Sequence, residues 1–491
     1  MLRKRLVTTL LVCSVILLAA ARTKPVTGPA AAANIPAAHA AKTPVQHIVV
    51  LYLENHSFDS LLGYWCDNHP GRCPRGGMPS SVKLSNGAVV KPSHDQDVVP
   101  IVAHDVDSQL AAMNIRHGVP QMNGWQNIAQ GECAATNGYQ CISGYLPRQE
   151  PNLSMLADKF AISDATFSLA DSPSWGGHLD IVTSNLDGFT GDVPTKPLGG
   201  PGTGWGCDGD TMTNWSPTPG GPLQTVPSCI PDPSLTYKGV RLPNGGAFQR
   251  TPVPYEPTIM DELNAAGLSW RFYGASCKNE ETAPNGLQTC QSAVGGYVWS
   301  PCASIAECLY RQSNRIAPLR RFMTNAETGN LPAFSVITPS GGHVNDSEHN
   351  GFSITSGDNW IGKIAAKLMN GPEWKSTVLF ITWDDCGCFY DQARPGINPD
   401  GSRQGPRIPL VIVSPYAKHG YTDSTSTTFD GILAYTEHTF GLAPLGPNDA
   451  GAYGFQHAFN YSQAPLRPVR MVHRRVPPGD HIRWAQARQD T

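Results

Sequence analysis

The sequence predicts an α/β protein with a mostly parallel central sheet, helices on both faces and disulfide-stapled loop insertions. Three observations carry this. The C-terminal half alternates short apolar runs of strand length with helical segments, the pattern of a sheet whose crossovers are helices. Two of the runs, 48–53 and 377–383, are almost wholly apolar, as strands covered on both faces are. Finally, 49 glycines, 43 prolines and 13 cysteines in 491 residues point to long, well-defined loops rather than a helical bundle.

Residues 1–21 read as a secretory signal. Arg3, Lys4 and Arg5 form its basic start, 6–18 its apolar run, and Ala19, Ala20 and Ala21 a small-residue cleavage site. That run is too short to span a bilayer comfortably, and no later segment is apolar enough to try. Residues 22–44, rich in Ala, Pro and Thr, read as a flexible linker. The main domain is expected over 45–465. It opens with the strand 48–53 and a helix from 57 to 64, followed by a loop-rich stretch over 67–152. Helical character returns at 153–160 and 178–184. Residues 200–253, dense in Gly, Pro and Ser with two cysteines, read as an insertion stapled by a disulfide. A helix over 258–266 leads into a strand at 269–273. Then follow a strand at 333–337, a helix at 360–369, strands at 377–383 and 409–414, and a helix at 432–440. The basic, Pro-containing tail 466–491 is expected to be peripheral.

The net charge of −3 argues against nucleic acid or an anionic membrane as the main partner. It becomes more negative once Arg3, Lys4 and Arg5 leave with the signal. Twelve cysteines follow Cys13, many in short-range pairs: Cys66/Cys73, Cys133/Cys141, Cys207/Cys229, Cys277/Cys290 and Cys302/Cys308. No zinc-ligand spacing is present, so the pairs read as disulfides of a secreted, extracellular or cell-envelope protein. Cys386 and Cys388 straddle Gly387; they could bridge each other only with strain, so each is expected to pair elsewhere.

Both apolar strands stop at adjacent oxygen ligands, Glu54-Asn55 and Asp384-Asp385. Taken singly, each pair reads as a polar turn after a strand. In open α/β sheets, however, ligands bind outside the carboxyl ends of the strands, and two strands delivering Glu54, Asn55, Asp384 and Asp385 there make an oxygen-only cation site. Such a set suits one divalent ion, Ca²⁺, Mg²⁺ or Mn²⁺, with Fe²⁺ possible; zinc ordinarily takes His or Cys, and the set holds neither.

These residues resemble a known family, the bacterial phosphoesterases that include secreted phospholipases C and a group of acid phosphatases. The opening motif, roughly V-x-x-x-E-N-R-S-F-D, matches Glu54-Asn55-His56-Ser57-Phe58-Asp59 apart from its Arg. A second block, D-E-x-G-G-F-x-D-H after a strand, is similar to Asp384-Asp385-Cys386-Gly387-Cys388-Phe389-Tyr390-Asp391-Gln392. A third is similar to Arg407-Ile408-Pro409 through Ser414-Pro415-Tyr416. The resemblance implies an alkaline-phosphatase-like fold without the large C-terminal modules of the phospholipase C branch. It also implies a hydroxyl nucleophile soon after a helix ending F-A-x-S-D, here Phe160 to Asp164. Ser174 matches that position, with Ser172 as the local competitor and Gly176-Gly177 where the family has Pro-Asn. His104 and His349 match histidines expected to contact phosphoryl oxygens or protonate the leaving group. His343 is a lesser candidate, and Asp391 is expected to orient a neighbour.

The expected function is a secreted, metal-dependent phosphoesterase acting on a small-molecule or phospholipid phosphate ester through a phosphoseryl intermediate at Ser174. Ser rather than Thr, and the missing modules, lean it toward acid-phosphatase-like monoester hydrolysis. A phospholipase C-like phosphodiesterase is the alternative, as is a secreted cation-containing binding protein that has lost turnover.

Overall fold

The structure, a computed structural model, describes residues 43–195, 206–207, 209, 211–218, 220–237, 239–274, 280–282, 288–290, 300–311, 316–339 and 346–478. The expected signal, most of the linker and His343 lie outside these residues. An eight-stranded sheet organises the chain: β1 (His47–Leu53), β2 (Ala161–Ser163), β3 (Trp270–Gly274), β4 (Ile316–Pro318), β5 (Phe334–Ile337), β6 (Thr377–Trp383), β7 (Leu410–Val413) and β8 (Tyr421–Asp423). Their spatial order is β4-β3-β5-β1-β6-β7-β2-β8, and β7 alone runs against the others. No helix separates β6 from β7, so the chain returns antiparallel instead of crossing over.

β1 and β6 lie at the centre, where Ile48–Leu53 and all of β6 are buried. The helices are α1 (Phe58–Asp67), α2 (Val106–Met113), α3 (Pro151–Lys159), α4 (Trp175–Thr183), α5 (Ile259–Ala265), α6 (Leu319–Thr328), α7 (Ile354–Met369), α8 (Asp430–Phe440) and α9 (Pro447–Gly451). They pack in two groups, α7 against α3 and α6, and α4 against α5 and α8, as expected of layers on a sheet. Caps set several starts. Ser57 accepts from the Ser60 amide at the head of α1, and Ser353 accepts from Ser356, starting α7 well before the expected 360.

Two expectations change, and one segment is held more firmly than its composition suggests. Phe160–Asp164 is not a helix end: α3 stops at Lys159, and Ala161–Ser163 is β2, inserted between β7 and β8. The tail through residue 478 lies on the surface, as its intermediate and exposed residues show, but it is tied down. Val472 donates to Asn152 Oδ1 and Arg474 to Asn359 Oδ1, each at 2.8 Å, which straps the tail across α3 and α7. Cys386 and Cys388 are buried free thiols rather than members of other bridges.

The remaining described pairs form as expected: Cys66–Cys73, Cys133–Cys141, Cys207–Cys229 and Cys302–Cys308. Cys277/Cys290 falls outside the described residues. In the insertion, Met212–Trp215 and Gln224–Pro227 extend an antiparallel sheet begun by Phe189–Thr195. Around Cys207–Cys229 a second small core gathers Leu235, Leu242 and Ala247 with Ala306 and Tyr310.

The three sequence blocks meet at Arg407, which is fully buried. Its Nη2 donates to Asp59 Oδ1 at 2.8 Å and its Nε to both oxygens of Asp391 at 3.1 Å, while its guanidinium lies 4.2 Å from the centre of the Phe58 ring. Asp391 therefore orients a neighbour, as expected. Two carboxylates and one guanidinium are out of water together, so removing the cation strands two buried charges. Arg407→Met should lower stability by about 3–5 kcal/mol, read as a fall in the urea midpoint. Arg407→Lys should fall between, keeping the charge but losing the fork.

Candidate metal and nucleophile centre

The site begins with a register. β1 pairs in parallel with β6 so that Leu53 stands opposite Trp383, and the Asp384 amide donates to the Leu53 carbonyl at 3.1 Å. Glu54-Asn55 and Asp384-Asp385 therefore leave the sheet side by side. The Asn55 amide donates to Asp384 Oδ1 at 2.9 Å, and its Nδ2 to Asp385 Oδ2 at 3.0 Å. Asn55 sits at φ 60°, a left-handed conformation Asn tolerates better than most residues. A Cβ on Gly387, itself at φ +56°, would come within 2.3 Å of the Asn55 carbonyl oxygen, so only glycine fits where the second loop passes the first.

The third contribution comes from α4. Ser174, at its N-cap position, has φ 45° and ψ −87°, a strained backbone for a serine. Asp385 clamps it: Oδ2 accepts from both the Ser174 amide at 2.9 Å and Oγ at 2.7 Å, and Asn55 Nδ2 lies 3.4 Å from the same Oγ. Ser172 faces elsewhere, its hydroxyl donating to the Gly191 carbonyl at 2.9 Å. One helical turn after Ser174, His178 turns back to the strand ends. Its Nε2 lies 3.1 Å from Glu54 Oε1 and 3.7 Å from Asp384 Oδ2. The helix reaches this close because a Cβ on Gly177 would meet the Asp384 carbonyl oxygen at 2.7 Å. The Gly-Gly departure from Pro-Asn thus has a packing reason.

Burial is complete here, and the charges shape one another. Burial, then the Asp384 charge, pushes the Glu54 carboxyl well up. Burial opposes the Asp384 charge too, but His178 and the Asn55 amide overcome it and hold that carboxyl below its usual range. Burial and Asp384 raise Asp385. Burial alone would lower His178, yet Glu54 and Asp384 win and bring it to about 9.

His104 and His349 come together as well, rings perpendicular with centroids 5.5 Å apart. Each Nδ1 faces a backbone carbonyl, that of Val102 at 2.9 Å and that of Asn350 at 3.0 Å. Burial and the neighbouring His104 lower His349 to about 4. Asn350 donates to the Val102 carbonyl at 2.7 Å, tying the two segments. His56, at the family's Arg position, is stacked on Phe389 and lies 3.1 Å from the Glu348 carbonyl; burial lowers it to about 3. Gln392, at the family's His position, donates to Gly77 O and takes the Asp59 carboxylate at its amide.

A model of the phosphoesterase family matches residues 45–443, most of the described chain. This chain belongs to the phosphoesterase family. It is similar to non-specific phospholipase C1 of Arabidopsis thaliana, 22% identical over 87% of this chain and 73% of that one. Phospholipase C A of Mycobacterium tuberculosis is 23% identical over 86% and 78%. Non-hemolytic phospholipase C of Burkholderia pseudomallei is 25% identical over 81% of this chain, which spans only 55% of that protein. Among solved structures, a member of the alkaline phosphatase superfamily from Vibrio parahaemolyticus is 10% identical over 85% of this chain and 72% of that one, with a TM-score of 0.35.

In this phosphoesterase, the expected oxygen quartet divides into two halves. Glu54 and Asp384 form, with His178, a buried group whose ligand atoms lie within 4.8 Å of one another and could hold a metal ion. Asn55 and Asp385 instead face Ser174. Among the described residues, the buried oxygens Glu54 Oε2, Asn55 Oδ1 and Asp384 Oδ2 have no hydrogen-bond partner. Two unsatisfied carboxylate oxygens and one amide oxygen, buried together beside an imidazole, fit a divalent cation. The candidate group adds His178 to two of the four expected oxygen ligands, and an imidazole beside carboxylates is a donor set that zinc also accepts. His178 was missed because a histidine in a glycine-rich segment carries no signal alone; its spacing of four residues from Ser174 on a helix was the clue available.

Two outcomes test this geometry. Ser174→Gly and Ser174→Ala both lose the hydroxyl, but only alanine keeps the positive-φ penalty. The glycine variant should be more stable by about 1 kcal/mol in chelator-containing buffer, measured by denaturant unfolding. Elemental analysis after loading and desalting should find about one divalent ion per chain in the native protein, and a large loss in Asp384→Asn.

Proposed function

We propose that this chain is an exported, divalent-cation-dependent phosphoesterase that cleaves phospholipid-type phosphodiesters through a phosphoseryl intermediate on Ser174. The observation that carries the reading is Ser174 itself: a strained serine at a helix start, its Oγ donating to a buried carboxylate beside a second, metal-competent carboxylate pair. The Ser174 Oγ attacks phosphorus as its proton passes to Asp385. The bond to the leaving oxygen breaks, and that oxygen takes a proton from His104. In the second half, water attacks phosphoserine and gives a proton to His349, held neutral; the bond between phosphorus and Ser174 Oγ breaks, and that oxygen recovers its proton from Asp385. With each Nδ1 turned to a carbonyl, Nε2 is the working nitrogen of both rings. A cation held by Glu54, His178 and Asp384 would offset charge developing on the phosphoryl oxygens.

Support for a diester comes from charge. The cationic groups that bear on Glu54, Asp384 and Asp385 are histidines, and Arg407 is locked between Asp59 and Asp391. A diester carries one negative charge against a monoester's two, and so needs fewer cations. The phospholipase C relatives agree. The leaning toward monoesters rests on Ser174 standing where the family also has Thr, and a monoester is the competing substrate. Gly177 and Gln392, two departures from the family pattern, both have packing roles, which weighs against the alternative that lacks turnover. Export is supported by the disulfides, and no described helix is long and apolar enough to cross a membrane.

Parallel assays on p-nitrophenylphosphorylcholine and p-nitrophenyl phosphate should show diester turnover in excess, abolished by chelator. Faster monoester turnover would reverse the substrate assignment. Ser174→Ala should lose at least about 10³-fold while Ser172→Ala keeps most activity; the opposite pattern moves the nucleophile. Because His349 accepts a proton only while neutral, turnover should fall as pH drops through about 4.

A further inference from the structure

Beside the loop that carries Asp385 lies an open pocket of about 700 Å³. Tyr390, Gln392 and Arg394 of that loop form part of its wall, and Lys83 and Arg116 reach it from two hairpins. Among the described residues no acidic side chain lines it, and Lys83, Arg116 and Arg394 are exposed with no ion-pair partner.

The hairpins repeat one motif. In the first (Val82–Lys83 with Val89–Val90), Lys83 stands directly opposite Val89. In the second (Ile115–Arg116 with Val119–Pro120), Arg116 stands opposite Val119. Residues directly opposite in an antiparallel pair share a face. Each hairpin therefore turns a cation and a valine outward together, while Val82 and Pro120 are buried. Val89 is 69% exposed and Val119 47%. The second hairpin closes through His117-Gly118, both at positive φ, a tight turn that projects its tip. The Ser85 amide donates to the Asn123 carbonyl at 2.7 Å, fastening the first hairpin beside the second.

We propose that this face docks the enzyme on an anionic phospholipid bilayer, with a lipid head-group phosphate in the pocket and Val89 and Val119 at the interface. The occupant follows from charge complementarity joined to exposed apolar tips: a soluble anion would be met by the cations alone and would leave the valines in water. The net charge points away from an anionic membrane, but screening over about 8 Å at physiological salt lets the local patch outweigh it. The proposal rests on the phospholipid reading above and adds where the enzyme meets its substrate's surface.

The test separates binding from turnover. Full-length Ser174→Ala is floated with phosphatidylcholine vesicles with and without phosphatidylglycerol, and the surface variants are also assayed on soluble p-nitrophenylphosphorylcholine. The chain should bind phosphatidylglycerol vesicles at least about tenfold better than neutral ones, losing most of that at 1 M salt. Lys83→Glu/Arg116→Glu/Arg394→Glu should remove the preference. Val89→Ser/Val119→Ser should weaken binding severalfold, and both variants should keep soluble turnover. Equal flotation on both vesicles, unchanged flotation of the charge-reversed variant, or displacement by millimolar inorganic phosphate would overturn the proposal. If vesicle binding behaves as stated while no phosphoester is turned over, it is the catalytic reading that fails.

Discussion

The register between β1 and β6 is the constraint on which the site depends. Because Leu53 and Trp383 are neighbours in a parallel pair, the next two residues of each strand emerge together. A slip of one position would reverse which side chains face the crevice. The register is secured by continuous apolar burial along both strands, so it is set far from the polar groups it positions. Packing in the sheet centre thus holds three carboxylates in a place where charge alone would drive them apart.

A second constraint joins the loops that follow those strands. Arg407 reaches Asp59 just after the first pair and Asp391 just after the second, so one guanidinium fixes how both loops leave the sheet. Sequence blocks far apart along the chain meet in a single buried ion cluster. The cluster holds Arg407 between Asp59 and Asp391, away from Ser174 and the Glu54-His178-Asp384 group.

Much of this was legible because it is written in local patterns. Apolar runs ending in oxygen ligands marked the strand ends, and Ser174 lay in a recognisable block. What escaped depended on distant partners or short elements. Ala161–Ser163 is only three residues long and becomes a strand because β7 and β8 flank it. The tail docks through Asn152 and Asn359, whose side chains bond its backbone, a pairing no periodicity reveals. The sequence separated His178 from the cation ligands because it lies on a helix rather than at a strand end. The roles of Asn350 and the Gly177 contact appear only when segments cross in space.

The two buried thiols bear on how the chain's cysteines are kept apart. Cys386 and Cys388 flank the tight glycine turn beside Asp385, and burial, together with the neighbouring Cys386, pushes the Cys388 thiol well up, so little of it is the reactive thiolate. In the finished protein they are inaccessible to oxidant, whereas in the unfolded chain they resemble every other cysteine. Correct pairing therefore favours closing the loop after β6 before exchange among cysteines is complete. Once the sheet has formed, its burial withholds these two thiols from exchange with the paired cysteines.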